Sequence, residues 1–277
     1  MRKNKNLQLL AIIGDTFREA ISRKVFIFFF GISTFVIILF FLFFSLSSVE
    51  GMIGMMNLSE DKNSIRSIII GIQVFIIGPL YAGGLFLSIF SASSFIPNML
   101  EKGTIDLLLS KPISRLTLLI GKFLGGTLIV LLNIAYLVFA IWLMISLKFD
   151  IWNLEFLTTI ILITYIFMIF YILMMFIGIL TQSSIFAMII SYLVFFIFSP
   201  ILAYRENITT SLITSSVGKF IINVVYYIIP QTSELGGITL DIAAGVAVIN
   251  WMPLITTTIW GIVMFASTVY IFQRKNF

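Results

Sequence analysis

The longest uncharged stretch of the chain restricts its fold more than any other feature. Forty-nine consecutive residues between Glu155 and Arg205 contain no Asp, Glu, Lys or Arg. As a single helix with a rise of about 1.5 Å per residue, this stretch would be roughly 74 Å long, more than twice the ~30 Å hydrocarbon core of a bilayer. The polar residues Thr-Gln-Ser-Ser at 181–184 divide it. The stretch therefore predicts two membrane-spanning helices joined as a hairpin, over about 156–180 and 185–204.

Other apolar runs complete a set of six spans. Charged residues make up only 10% of the chain, against about 25% in soluble domains, and each run is long enough for the roughly 20 residues that a crossing needs. The predicted spans are approximately 25–48, 67–97, 117–147, 156–180, 185–204 and 253–272. Between the last two, residues 205–252 hold only short apolar runs, which favour shallow helices; a complete seventh span there is the alternative. The sequence predicts an all-α integral membrane protein, with residues 1–277 forming a single transmembrane domain.

Several kinds of chemistry are excluded by what the chain lacks. It has no Cys and no His, so disulfides, thiol nucleophiles and His-ligated metals are impossible. It has no phosphate-binding loop of the G-x-x-x-x-G-K-[ST] type. Outside the charged segment 98–122, the six spans contain no acid or base, which argues against a proton- or sodium-coupled pump. We therefore expect no catalytic, cofactor or metal site, and an energy source in another chain.

Residues 1–24 predict an amphipathic helix. Leu10, Ile13, Phe17 and Ile21 recur at spacings of three and four, which places them on one helical face. Basic residues flank this face, as is typical of a helix lying in the membrane interface near anionic headgroups. A water-exposed extension of the first span is the alternative, but it would leave the apolar face wet.

The second span is too long for one straight helix and carries helix-breaking residues. Gly78-Pro79 and Gly83-Gly84 are expected to interrupt it, because proline removes a backbone hydrogen bond and kinks a helix. Such breaks are tolerated in membranes where neighbours or a cavity satisfy the backbone. A tilted, kinked helix is one interpretation; a span that lines a pathway or bends during a cycle is the other.

The segment from Asn98 to Lys122 is both charged and greasy. It lies between two uncharged runs and contains Glu101, Lys102, Asp106, Lys111, Arg115 and Lys122. A charge at mid-bilayer costs roughly 2.5–3.5 kcal/mol, so we expect this segment in water or among headgroups. Within it, Ile105 and Leu107–Leu109 form an apolar ridge, which indicates a docking surface for another protein. Thr104 and Ser114 are candidate N-caps for short helices, and Gly121-x-x-x-Gly125 is a spacing that lets helices approach closely.

The distribution of basic residues predicts the orientation. Six spans put both termini on the side of the charged segment, and that side holds twelve of the 17 basic residues. The positive-inside rule therefore places the termini and this segment in the cytoplasm, in a multi-pass protein of the cell membrane. The net charge of +5 comes from these membrane-edge clusters, so we expect no nucleic-acid partner.

The charged segment also carries a family signature. Its residues Glu101-x-Gly103-Thr104-x-x-Leu107-Leu108-x-x-Lys111-Pro112-x-Ser114-Arg115, followed by Gly121-Lys122-Phe123-Leu124-Gly125, closely resemble the signature of type-2 ABC transporter permeases. The resemblance is strongest to the six-span group that includes the permease of nitrous-oxide reductase maturation systems. It covers the whole chain in layout and is sequence-specific around 98–125.

This resemblance implies an ABC exporter permease of unidentified cargo. Residues 1–24 would be an elbow helix, 98–115 a cytoplasmic coupling helix, and spans two and five the walls of the pathway, capped by membrane-embedded outer loops after span five. Two permease copies, expected to be a homodimer, would pair with two ATPase subunits that bind ATP and Mg. The residues implied in ATPase docking are Glu101, Gly103, Thr104, Asp106, Leu107, Leu108, Lys111, Pro112 and Arg115.

Two other functions remain open from the sequence. The chain could be a non-transport membrane anchor or assembly subunit of another complex, which predicts no substrate-stimulated ATPase activity in a reconstituted pair. It could also be an intramembrane enzyme, which would turn over lipid without nucleotide. The absence of His, Cys and buried acids disfavours the enzyme.

Overall fold

The computed structural model describes residues 2–22, 24–46, 62–100, 103–105, 110, 113–211 and 215–275. All regular secondary structure in these ranges is helical, and six helices are long and apolar enough to cross a membrane. The prediction of an all-α membrane protein with six spans is confirmed. The helices, which we number span one to span six, are Val25–Leu46, Lys62–Ala92, Arg115–Phe149, Glu155–Thr181, Ser184–Ala203 and Met252–Arg274.

Polar residues end the spans as local capping chemistry requires. The Ser114 hydroxyl accepts the backbone N–H of Thr117 at 3.1 Å, which confirms Ser114 as an N-cap, although the helix that it begins is the long span three and not a short helix. At the other ends of spans three and four, Asp150 and Gln182 adopt left-handed backbone angles, with φ of 53° and 55°. A left-handed residue after the last turn lets its N–H bond back to a helix carbonyl and stops the helix.

Span two is one helix from Lys62 to Ala92, with Pro79 inside it. Gly78-Pro79 and Gly83-Gly84 therefore do not break the helix, and the kinked-helix interpretation stays a prediction. A proline removes a single backbone hydrogen bond, and the remaining bonds of the helix hold its two halves together. The helix ends instead at Ser93–Ser94, after which a short helix, Phe95–Met99, begins.

Span four forms the centre of the bundle. Phe156, Phe167, Phe170 and Tyr171 on this span are all fully buried. Spans one and six are the least buried and lie at the periphery. Because large apolar side chains are stable in lipid as well as in a protein interior, peripheral spans can expose them.

The N-terminal helix, Arg2–Ser22, packs against the start of span three. A Cβ added at Gly121 would lie 2.6 Å from Ile12 Cγ2, and one at Gly125 would lie 2.8 Å from Thr16 Cβ. The close helix approach predicted from the Gly-x-x-x-Gly spacing is confirmed, and its partner is the N-terminal helix. We call the face of the bundle that carries this contact, residues 93–100, residues 113–115 and Lys275 the terminal face, and the other one the opposite face.

Two helices between spans five and six form a hairpin that enters the bundle from the opposite face. They are Ser216–Ile228 and Thr232–Ala243, both too short to cross a bilayer. At the tip of the hairpin, the Trp260 indole donates to the carbonyl of Ile228 at 2.6 Å. Trp260 lies eight residues into span six, or about 12 Å along its axis. The hairpin therefore extends from the opposite face well past the first residues of span six and into the bundle, as expected for a membrane-embedded loop.

Candidate functional site

Much of the predicted docking surface lies outside the described residues: Glu101, Asp106, Leu107, Leu108, Lys111 and Pro112. Gly103 has φ +89°, a left-handed value that favours glycine, and Thr104 is exposed. Ile105 is only 2% exposed, so it packs inward. The expectation that Ile105 belongs to a presented ridge is therefore wrong.

The short helix that leads into this segment is firmly packed. Phe95, Ile96, Pro97 and Met99 are all buried. A Cβ added at Gly178 of span four would lie 3.3 Å from Pro97 Cγ. The entry to the charged segment is thus held against the last turn of span four by close contact of small and rigid residues.

Arg115 follows the charged segment and turns back into the protein. Its guanidinium Nη1 donates to the carbonyls of Phe272 at 3.2 Å, Gln273 at 3.2 Å and Lys275 at 2.8 Å. These carbonyls end span six, where the helix dipole places partial negative charge. The sequence predicted Arg115 as a docking residue, and the structure brings it to the C-terminus of the last span.

Lys122 differs most from its sequence-based expectation. Its side chain is 6% exposed, and its Nζ lies 2.5 Å from Glu19 Oε2 on the N-terminal helix. The expectation that every charge of the segment 98–122 lies in water or headgroups is wrong for this residue. The fully buried Tyr171 of span four donates to the Lys122 carbonyl at 3.2 Å. One position of span three therefore joins the N-terminal helix to the core.

The predicted apolar face of the N-terminal helix is split between protein and surroundings. Leu10 and Ile21 are 63% and 49% exposed, whereas Phe17 is partly buried against the core and Ile13 is intermediate. The fully covered positions of this helix form a separate stripe, which consists of Ile12, Thr16 and Ala20.

An exposed stripe runs along span two through the predicted pathway residues. Phe75, Pro79, Gly83, Phe86 and Phe90 follow one another at spacings of three or four and are all exposed, Phe75 at 80%. Among the described residues, no neighbouring atom lies within 4 Å of a Cβ added at Gly78, Gly83 or Gly84. Within the part of the chain that the structure describes, these glycines therefore do not serve helix packing.

Span five borders this stripe and contains an irregular turn. The ring of Phe86 stacks on Tyr192 of span five at 4.8 Å, and the Tyr192 hydroxyl donates to the Phe86 carbonyl at 2.9 Å. The next residues, Val194–Phe198, form a π-helical turn ahead of Pro200, which has no N–H to continue the regular ladder. Single π turns are frequent at functional sites.

Hydrogen bonds hold the tip of the hairpin in the bundle. Tyr81 of span two donates to the Thr232 carbonyl at 2.5 Å, and the Ser199 hydroxyl of span five accepts the N–H of Ser233 at 2.8 Å. On span six, Thr257 accepts the N–H of Gln231 at 3.2 Å. The tip thus touches both spans that border the exposed stripe.

A cluster of polar side chains joins the hairpin to the end of span five. Arg205 Nη1 lies 3.1 Å from Glu234 Oε1, and the Arg205 guanidinium stacks 3.5 Å from the ring centre of Tyr226. Tyr226 donates to both Glu234 oxygens, at 2.9 and 2.8 Å. Burial and then the bond to Glu234 raise the pKa of the Tyr226 hydroxyl, so it remains a donor. The cluster therefore holds the hairpin against the end of span five at the opposite face.

Sequence reasoning missed Glu19, Lys275 and the cluster of Arg205, Tyr226 and Glu234. A signal existed for Glu19, because Ile12, Thr16 and Ala20 repeat the four-residue spacing of Gly121 and Gly125. Within the described part of the chain, no group of three or more His, Cys, Asp or Glu residues is placed to hold a metal ion.

Comparison with known proteins places the whole bundle in one family. Residues 10–277 match the family described as "ABC-2 family transporter protein". The match includes all six spans, the charged segment and the hairpin. Among curated proteins, none matches this chain.

Proposed function

Since this chain belongs to the ABC-2 family of transporter proteins, we propose that it is an export permease that takes its energy from two ATPase subunits docked on the terminal face. Membership makes it a membrane transport subunit that works with an ATPase. The finer assignment rests on the segment between spans two and three. The motif from Glu101 to Gly125 favours the six-span group similar to the nitrous-oxide reductase maturation permease.

The observation that carries the proposal is the charged, leucine-bearing sequence between spans two and three, which a six-span topology assigns to the same side of the membrane as both termini. The same topology assigns twelve of the 17 basic residues to this side, which the positive-inside rule makes the cytoplasmic side of the cell membrane. An ATPase is cytoplasmic, so docking and orientation agree. A leucine ridge with a charged rim has the composition of a protein interface, with an apolar anchor inside a polar border.

The exposed stripe of span two supports the second part of the proposal, a homodimeric pathway. Phe75 and Gly83 lie on a face that nothing in the described chain covers. In the proposed dimer, the stripes of two copies and the adjoining surfaces of span five line the pathway. The two hairpins then close it at the opposite face.

Docking is tested by replacing the leucine ridge. Leu107→Asp and Leu108→Asp should abolish co-purification of the tagged chain with an ATPase bearing a phosphate-binding loop, because a charge in the centre of an interface removes its apolar anchor. Leu154→Asp is the matched control, since Leu154 is an exposed leucine of the opposite face. Monodisperse elution in detergent confirms that each variant is folded. Full retention of the ATPase by both ridge variants contradicts the docking assignment.

A further inference from the structure

We call residues 98–115, which carry the proposed docking surface, the docking segment. Its two ends are linked to each other through spans four and six. At its exit, Arg115 Nη1 donates to the carbonyls of Phe272, Gln273 and Lys275. At its entry, Pro97 lies against Gly178 of span four, in a contact with no room for a Cβ without adjustment. The segment is therefore attached to two different spans.

Lys275 links those two spans by hydrogen bonds. Its Nζ donates to the carbonyls of Ile179 at 2.5 Å and Leu180 at 3.3 Å, in the last turn of span four. Its own carbonyl accepts from Arg115 at 2.8 Å. Lys275, one residue after span six, thus accepts a hydrogen bond from the guanidinium of span three and donates hydrogen bonds from its ammonium group to span four.

The hydrogen bonds of Arg115 and Lys275 are suited to transmit movement. Each of these two side chains places a cation on the last carbonyls of a helix, where the unpaired C=O groups and the helix dipole both favour positive charge. Charge-assisted hydrogen bonds are shorter and stronger than neutral ones, and they fix direction as well as distance. A displacement of the docking segment at Arg115 consequently acts on the ends of spans six and four together.

We propose that Arg115 and Lys275 are positioning residues that transmit movement of the docking segment to spans four and six. This inference rests on the proposed function, since an ATPase must supply the movement. It gives Lys275 a role beyond its contribution to the orientation of the chain in the membrane. It also gives Arg115 a role inside the permease, in place of direct ATPase contact.

The test uses the full chain with its ATPase in lipid nanodiscs. Because the chain has no cysteine, Leu46→Cys and Asp241→Cys introduce a specific pair of spin labels at exposed sites of the opposite face. In the parent chain, ATP should change the distance distribution between these labels. Arg115→Met and Lys275→Met should each reduce the ATP-dependent fraction by about fivefold or more, while Lys275→Met retains the ATPase and hydrolyses ATP near the parent rate.

Two controls separate transmission from general structural damage. Arg115→Lys keeps a cation and should restore part of the response. Arg274→Met should respond as the parent chain does, because Arg274 is exposed and its guanidinium lies 4.4 Å from the ring centre of its own helix's Tyr270. If one methionine variant fails to fold, the other variant carries the test, since the Arg115 and Lys275 side chains donate to the ends of different spans and are replaced separately.

The outcomes distinguish this inference from the proposed function. Loss of ATPase binding in Arg115→Met, with binding kept in Lys275→Met, makes Arg115 an interface residue and overturns its positioning role. An unchanged distance response in both methionine variants overturns the transmission circuit while docking stands. A parent chain that binds no ATPase contradicts the proposed function itself.

Discussion

Glu19 and Lys122 form an ion pair with side-chain exposures of 22% and 6% and an Nζ to Oε2 distance of 2.5 Å. Two charges removed from water are costly to separate, because the remaining one is left buried without a partner. A pair of this kind depends on geometry, and its stabilising effect appears only while both partners are present. A single substitution at either residue should therefore affect stability more than one at an exposed pair.

Removal of the Glu19 charge should destabilise the protein. Glu19→Gln is expected to lower the free energy of unfolding by about 2 kcal/mol, below the ~3–5 kcal/mol of a fully buried pair because Glu19 is partly exposed. Asp15→Asn is the matched control: its 4.0 Å pair with Arg18 is exposed and is worth about 0–1 kcal/mol. Thermal unfolding in detergent measures both.

A double variant tests whether the effect belongs to the pair. Glu19→Gln with Lys122→Met should cost less than the sum of the single variants, since no buried charge remains. Equal losses in Glu19→Gln and Asp15→Asn would show that the pair contributes no more than a surface contact.

Arg115 shows how far residue roles could be predicted. The motif identified it by type and position, and the residues of span six that it binds lie more than 150 positions away. Sequence spacing carries no information about such a contact. Lys122 was misplaced for a related reason: hydropathy assigns a lone lysine to water, and only the fold brings Glu19 to it.

At the scale of elements, the N-terminal helix explains why helical faces in membranes are hard to interpret from hydrophobicity. Its contact with span three sets Ile12 and Thr16 against Gly121 and Gly125, whereas Leu10 and Ile21 remain exposed. Helices in membranes pack through small residues that let backbones approach, and large apolar side chains can face lipid. A pattern of large residues therefore predicted the amphipathic helix but not the side that contacts the protein. The Gly121-x-x-x-Gly125 spacing predicted a close contact without its partner.

Added bulk at this contact should weaken the packing of the N-terminal helix. Gly121→Ala places a Cβ 2.6 Å from Ile12 Cγ2, so we expect a loss of about 1–3 kcal/mol in unfolding free energy. Gly84→Ala is the matched control, because no neighbour lies within 4 Å of its added Cβ among the described residues; alanine there favours the helix by about 1 kcal/mol. Thermal unfolding compares the two.

Complementary truncation should rescue the contact. Gly121→Ala combined with Ile12→Ala removes the closest contact, that with Ile12 Cγ2, and leaves only the Ile12 Cβ, 2.8 Å from the new Cβ. The double variant should therefore recover part of the lost stability, because the two sites share one packing contact. Strict additivity of the two single losses would mean that the helices do not meet at this position.

At the scale of the whole molecule, the six spans followed from length and hydropathy because membrane crossing is a requirement of each helix by itself. The hairpin between spans five and six was left undecided for the opposite reason. Its helices are stabilised by distant partners, such as the Trp260 indole at Ile228 and Tyr81 at Thr232. Short apolar runs become embedded only when other elements satisfy their backbone groups, and sequence periodicity does not show which elements do so.

The exposed stripe of span two provides the last prediction, which concerns the assembled transporter. Gly83 lies on this stripe, and Ile259 lies on a peripheral face of span six with 57% exposure. If the stripe lines an aqueous pathway, a thiol at Gly83→Cys should react with a small charged methanethiosulfonate reagent. A thiol at Ile259→Cys, in lipid, should react at least about tenfold more slowly, because charged reagents are excluded from hydrocarbon.

The cysteine-free parent chain supplies the background, and ATP with the ATPase should alter the rate at Gly83 alone. Equal rates at the two sites, with or without nucleotide, would assign the stripe to lipid and remove span two from the pathway.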